Sequence, residues 1–278
     1  MRSPAVAGQF YPASREALIE QIERCFLHSL GPGKLPVFDS REARRIVAGI
    51  VPHAGYIYSG YEAAHVYYAL AREETPRSIV LLGPNHTGMG SLVAVSMQDW
   101  RTPLGVARCD RELAEELFTG CDVIDADEIA HAYEHSIEVQ LPFLQYIYGG
   151  DFKFVAISLG LQELEVSREI ASCLSRVDRD ILILASSDFT HYESASQARQ
   201  KDMLAIEAIL ALNEELFLRR VYEHRISACG YGAIAAAIAA AKTRGAAHAE
   251  LLKYGNSGDV TGDYGSVVAY AGIVFRKT

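Results

Sequence analysis

Short continuous apolar runs recur along this chain, separated by stretches in which apolar positions return at helical spacing. Ile46–Val51, Ser78–Leu82, Phe152–Leu159 and Ile181–Ala185 read as strands covered on both faces. LVAVS at 92–96 adds another strand, and Trp100–Gly105 reads as a turn-rich crossing. Ser14 is placed to cap a helix whose Leu18, Ile19, Ile22, Cys25 and Phe26 share one face. Further helices are predicted over Ser59–Ala71, from Asp110 through Phe118, over Glu163–Arg176, near Ala198–Leu212 and Glu214–Tyr222, and over the Ala-rich Tyr231–Ala241. Asp127–Tyr148 is the longest helix candidate, bent or broken at Pro142. The chain then turns β-like, with Glu250–Tyr254 and Ser266–Phe275 around a polar loop. Strands alternating with helices predict a three-layer α/β/α fold with a mainly parallel or mixed central sheet and right-handed crossovers. No linker divides it, so one domain over residues 1–278 is expected.

The residues that leave the predicted strands carry the chemistry. Pro52 ends the first strand, because it has no N–H for the ladder, and His53 follows at once. The second strand runs into GPNHTG with His86, and a later one into SSDFTH with Asp188 and His191. SACG places Cys229 where the Ala-rich helix begins. Open α/β sheets bind ligands at the carboxyl ends of their strands, so these residues are expected to converge. Two neutral imidazoles suit iron, copper or zinc, and a soft third ligand would bias the choice. Cys229 is that candidate; its plainer reading is a buried apolar filler. At a helix start, the dipole and free N–H groups are expected to lower its pKa and favour the thiolate. His191 is expected to serve as general acid/base, with Asp188 orienting a neighbour or stabilising positive charge; a turn or cap role for Asp188 competes with this.

A rival pattern lies in HAYEHSIEV. On a helix, His131, Glu134, His135 and Glu138 would share a face, and H-x-x-E-H is the inverted zincin pattern, which makes a zinc hydrolase a competing reading. The other reading has this face lining or buttressing the pocket, with His135 and Glu138 facing substrate or supporting the ligands. Tyr56, Tyr58 and Phe10 are candidate aromatic walls.

Half of the residues are apolar and 22% are charged, the balance of a globular chain with a full core. The net charge of −9 leaves no basic stripe for nucleic acid or an anionic membrane, so small molecules or proteins are the expected partners. The first residues lack the apolar core of a signal peptide, and no stretch is long enough to span a bilayer. Cys25, Cys109, Cys121, Cys173 and Cys229 are scattered and odd in number. They predict neither a disulfide framework nor a paired-cysteine zinc site, and a reducing cytoplasm is the expected location.

Taken together, VPHAGYIYSG, LLGPNHTG, EHSIEVQLPFLQ, SSDFTHY and ACG before an apolar helix resemble the Memo family, whose bacterial and archaeal members are called AmmeMemoRadiSam system protein B. AGQFYP near the start and YGNSGDVTGDYGSVVAYA near the end extend the resemblance over nearly the whole chain. The resemblance implies a fold similar to the LigB-like class III extradiol dioxygenases, which cleave catechols with non-haem iron(II). By motif, His53 and His86 match the two histidine ligands and His191 the acid/base histidine. Cys229 stands where those dioxygenases have a carboxylate, as in the Memo branch. A thiolate there admits copper(I), iron(II) or zinc and is itself oxidisable. The resemblance further implies pairing with an AMMECR1-like protein and a radical S-adenosylmethionine enzyme. The expected activity is that of an iron- or copper-dependent oxidoreductase acting on a small phenolic or chelating substrate. The alternative is a binding module that uses the same pocket for a peptide or partner protein.

Overall fold

The computed structural model describes residues 1–37 and 42–278. Helix α1 (Arg15–Leu27) starts at Ser14, whose hydroxyl accepts from Ala17 N–H, and it buries Leu18, Ile22, Cys25 and Phe26 as its spacing predicts. Strand β1 (Ile46–Val51) and helix α2 (Tyr56–Ala71) follow; the helix begins a turn before Ser59, at the N-cap Gly55. Then come β2 (Ser78–Pro84), β3 (Val93–Val95), β4 (Trp100–Thr102) and β5 (Gly105–Cys109). The predicted crossing at Trp100–Gly105 is thus a hairpin, with Trp100 opposite Ala107. Helix α3 (Arg111–Gly120), capped by Asp110, leads to the short β6 (Asp125–Ala126).

The segment 127–148 differs from expectation. It forms two 3₁₀ turns, Ile129–His131 and Glu138–Gln140, and becomes α-helical only in α4 (Leu141–Tyr148). Pro142 sits in the first turn of that helix, where its missing N–H has no partner to lose, so it starts a helix instead of bending one. Without a continuous helix, His131, Glu134, His135 and Glu138 do not share a face.

The second half runs β7 (Lys153–Leu159), α5 (Leu164–Arg176), β8 (Ile181–Ser186) and β9 (His191–Glu193). Helices α6 (Ala195–Leu210), α7 (Glu214–Glu223) and α8 (Tyr231–Thr243) precede β10 (His248–Asn256), the one-turn α9 (Gly258–Thr261) and β11 (Val267–Arg276). Among the described residues the main sheet runs β10-β11-β1-β8-β2-β7-β3-β6. Its centre, β1-β8-β2-β7, is parallel, and β11 and β3 join antiparallel on either side.

Alternation along each central strand divides the core into two layers. Val80, Leu82, Val155, Ile157, Ile181 and Ile183 face α3 and α5–α8. Ile79, Leu81, Phe154, Ala156, Leu182 and Leu184 face α1, α2 and α4. Each Val, Leu, Ile or Phe among them contributes about 1.5–3 kcal/mol by leaving water, so the alternation also fixes strand register. The fold is a mixed-sheet α/β/α sandwich, as predicted. Because β1, β2 and β8 are parallel, their carboxyl ends open on one edge.

Cys121 and Cys173 depart from the sequence expectation: they form a disulfide joining the end of α3 to α5, with Cα atoms 5.8 Å apart. Their separation of 52 residues gave no local signal. Cys25 and Cys109 are free and buried. No helix among the described residues is long and apolar enough to cross a membrane.

Candidate metal centre

Four peptide segments converge at the carboxyl edge. Val51 leads through Pro52 to His53, Pro84 through Asn85 to His86, Ser186 through Ser187 to Asp188, and Cys229 lies just before α8. Ligand atoms of His53, His86 and Cys229 lie within 4.8 Å of one another. Gly230 permits this approach: a Cβ there would stand 2.5 Å from the Ser186 carbonyl oxygen. Gln162, just past β7, clamps the turn by donating to Cys229 O at 2.9 Å and accepting from Gly232 N–H at 2.8 Å.

Hydrogen bonds set the tautomer of each imidazole. Ser186 Oγ gives its only proton to Ser136 O at 2.6 Å, and it accepts from Gln140 Nε2 at 2.8 Å. The 2.9 Å contact between His53 Nδ1 and Ser186 Oγ must therefore be donated by the imidazole, which leaves Nε2 with its lone pair. That lone pair faces Cys229 Sγ at 3.1 Å. Tyr67 fixes the Gln140 amide by donating to Oε1 at 2.6 Å. His86 Nδ1 donates to Glu134 Oε1 at 2.9 Å, which again leaves Nε2 free. Gly83 lets this segment close in, since a Cβ there would meet Ser136 Oγ at 2.6 Å. His191 lines the cavity, and its Nδ1 donates to Ser227 O at 2.9 Å, which leaves the lone pair on Nε2.

Burial, followed by the imidazoles of His135 and His86, pushes His53 well below the ordinary histidine range, so the ring is neutral. Burial alone would raise Glu134, but its hydrogen bond from His86 and the Ser136 N–H outweigh this and hold it at about 2. Burial lifts Asp188 to about 6, although His53 N–H at 2.8 Å and Ala54 N–H at 3.3 Å both donate to it. For Cys229 the outcome opposes the expected lowering at a helix start. Burial raises the thiol and the Asp188 carboxylate adds to the effect, so Cys229 is a neutral thiol, and any metal bound there would have to displace its proton.

The donor set fits a soft or borderline transition metal: two neutral imidazole nitrogens with free lone pairs and one thiol sulfur. The site opens into a cavity of about 700 Å³ that Phe10, His135, His191, Tyr58 and Tyr270 help to line. His135 stacks on His86 with centroids 4.6 Å apart, and Phe10 lies 4.5 Å from His135. Burial lowers His135 to about 4.

Three expected site residues lie elsewhere. Tyr56 is buried in the core, where its hydroxyl donates to Val139 O at 2.6 Å; Tyr58, two residues on and so on the other side of the helix, takes the wall position. Glu138 is fully buried away from the cavity and gathers the amino-terminal arm, accepting from Arg2, Ala5 N–H, Val6 N–H and Tyr11 Oη. It therefore supports Phe10 through the arm and does not face the ligand. His131 is also buried, with Nε2 3.0 Å from Ala94 O, and belongs to no ligand cluster among the described residues. The zincin reading fails with it. Sequence reasoning did not single out Ser186, Gln140, Gln162 or Ser227. The available signal was a polar side chain inside an apolar run, as Gln140 is in EVQLPF.

The family described as Memo-like protein matches residues 2–274. A MEMO1 family protein of Methanopyrus kandleri is 52% identical, with 99% of each chain covered. One of Methanosarcina barkeri is 49% identical with 99% coverage of both, and one of Methanocaldococcus jannaschii 46% with 99% and 98%. A crystal structure of an uncharacterized protein from Escherichia coli K12 is similar in fold, with a TM-score of 0.56, 15% identity, and 83% of this chain and 100% of that one covered. The motifs, the strand-end constellation and the full-length matches agree: this chain belongs to the Memo family.

Proposed function

We propose that this protein is a non-haem, iron- or copper-dependent oxidoreductase related to the extradiol dioxygenases, acting on a small phenolic or otherwise chelating molecule. The observation that carries the reading is the convergence of His53 Nε2, His86 Nε2 and Cys229 Sγ at the floor of a cavity, with a further basic imidazole on its wall. When bound, the metal would supply Lewis acidity toward adjacent substrate oxygens and one-electron redox chemistry; zinc would supply only the former.

The chain's own residues do the rest. His191 Nε2 takes a phenolic proton, and the resulting imidazolium is held by its bond to Ser227 O and by the nearby Asp188 carboxylate. Asp188 also fixes the backbone of His53 and Ala54, so proton handling and ligand placement share one side chain. His135, neutral through burial, presents a polar ring edge to a molecule lying beside His86. Phe10, Val267 and Tyr270 keep that part of the cavity apolar, which strengthens each polar contact made there. For partners, the family resemblance leads us to expect an AMMECR1-like protein and a radical S-adenosylmethionine enzyme, which co-purification would test.

The test of the central reading is metal content by mass spectrometry on protein purified without oxygen. Near-stoichiometric iron or copper is expected in wild type and in His131→Ala, and it is lost in His53→Ala and Cys229→Ser. Equal metal in all four overturns the assignment. Metal-free protein that binds a peptide or partner with full affinity favours the binding-module reading.

A further inference from the structure

The cavity mouth carries features that metal binding does not explain. Four aromatic side chains, Phe10, Tyr58, Tyr192 and Tyr270, line the cavity. Tyr192 is the unusual one. Its φ of 60° places a bulky residue in the left-handed region, where side chain and backbone crowd, yet the ring is 79% exposed. Pairing of Glu193 with Val267 and His191 with Val268 holds the strained residue from both sides. An exposed ring kept at steric cost on a cavity wall is the pattern of a side chain that waits for a ligand.

The charge of the lining is one-sided. Among the described residues it includes no lysine or arginine, while Asp263 contributes a carboxylate from the loop after α9. Asp263 Oδ1 accepts from Gly265 N–H at 2.9 Å, which fixes the side chain on that loop. Asp188 adds a second, buried carboxyl deeper in the cavity. The net charge of −9 extends the same sign over the molecule and disfavours approach of anions. Aromatic faces beside a carboxylate attract organic cations through both the ring quadrupole and the charge.

We infer that the cavity selects an aromatic substrate whose ring bears a cationic or neutral side chain, of the arylalkylamine class, and discriminates against carboxylated or phosphorylated analogues. Tyr192 and Asp263 are its specificity-determining residues. The inference rests on the proposed binding of a vicinal phenol at the metal and adds the identity of the distal group.

The test is calorimetric binding to the iron(II)-loaded protein without oxygen. The probes are catechol, 3,4-dihydroxyphenethylamine and 3,4-dihydroxyphenylacetate, which share the ring and differ in side-chain charge. The amine is expected to bind about tenfold more tightly than the acid at low salt, with the ratio shrinking as salt is raised. Asp263→Asn, which keeps an acceptor for Gly265, lowers the ratio severalfold, and an unchanged ratio overturns the assignment of Asp263. Tyr192→Ala weakens the amine more than catechol. Equal or tighter binding of the acid overturns the inference and leaves the metal site standing. Failure of all three to bind overturns both.

Discussion

The His53 and His86 sides of the centre hold the same chemical group by different means. His53 is fully buried, and its Nδ1–H meets a neutral chain running through Ser186, Gln140 and Tyr67. The His86 side chain is 34% exposed, and its Nδ1–H meets the carboxylate of Glu134, which also accepts from the N–H groups of His86, His135 and Ser136. A neutral network sets direction without adding charge in a dry place. A carboxylate sets direction and also places a negative charge behind the ring. His53 is thereby oriented with no charge behind it, while His86 has a carboxylate behind it and lies closer to solvent.

Removing Glu134 should have the largest effect. Glu134→Ala strands four donors, so a loss of about 3–5 kcal/mol in unfolding free energy and a drop in metal affinity of about 100-fold are expected. Denaturation and metal-competition titrations measure the two. A fall in affinity with no loss of stability would mean that the carboxylate acts on the metal alone.

Next comes the pH dependence of the metal-free protein. His135 and His131 are lowered to about 4, and His53 is lowered in the same direction, all chiefly by burial. Between their unfolded value near 6.5 and about 4, the unfolded chain binds more protons, so stability falls as pH drops through that window. The expected loss is on the order of 2 kcal/mol per buried imidazole. His135→Asn should flatten the curve by about one such step, and an unchanged slope would contradict the neutral assignment.

Ser186→Ala should be the mildest. It removes the acceptor that selects the His53 tautomer but leaves the ring buried, so metal affinity is expected to fall about tenfold. Nitrogen NMR of His53 would then report a mixture of tautomers where wild type gives one. A single unchanged tautomer would show that Ser186 does not set it.

Much of this architecture was legible in the chain. The apolar runs at 46–51, 78–82 and 181–185 are strands, and the residues at their exits meet, because parallel strands bring their carboxyl ends to one edge. Asp127–Tyr148 was misread since apolar residues at helical spacing also suit a buried irregular segment. There, side chains bonding to distant backbone, such as His131 to Ala94, replace helix hydrogen bonds. Glu138 reads as a pocket residue because a helix would put it on the face of His135, and Tyr56 reads as an aromatic wall just after His53, but an arm from the chain start captures the first and the core the second. The Cys121–Cys173 pair and the Ser186–Gln140–Tyr67 chain depend on contacts between distant elements, which no local pattern encodes.

The most direct test of the account is X-ray absorption spectroscopy at the metal edge of protein loaded with iron(II) or copper(I) under exclusion of oxygen. Two imidazole nitrogens and one sulfur are expected in the metal's shell, with the sulfur lost in Cys229→Ser and one imidazole lost in His53→Ala. A shell of nitrogen and oxygen alone in wild type, unchanged by Cys229→Ser, would contradict the assignment of Cys229 and with it the centre proposed for this chain.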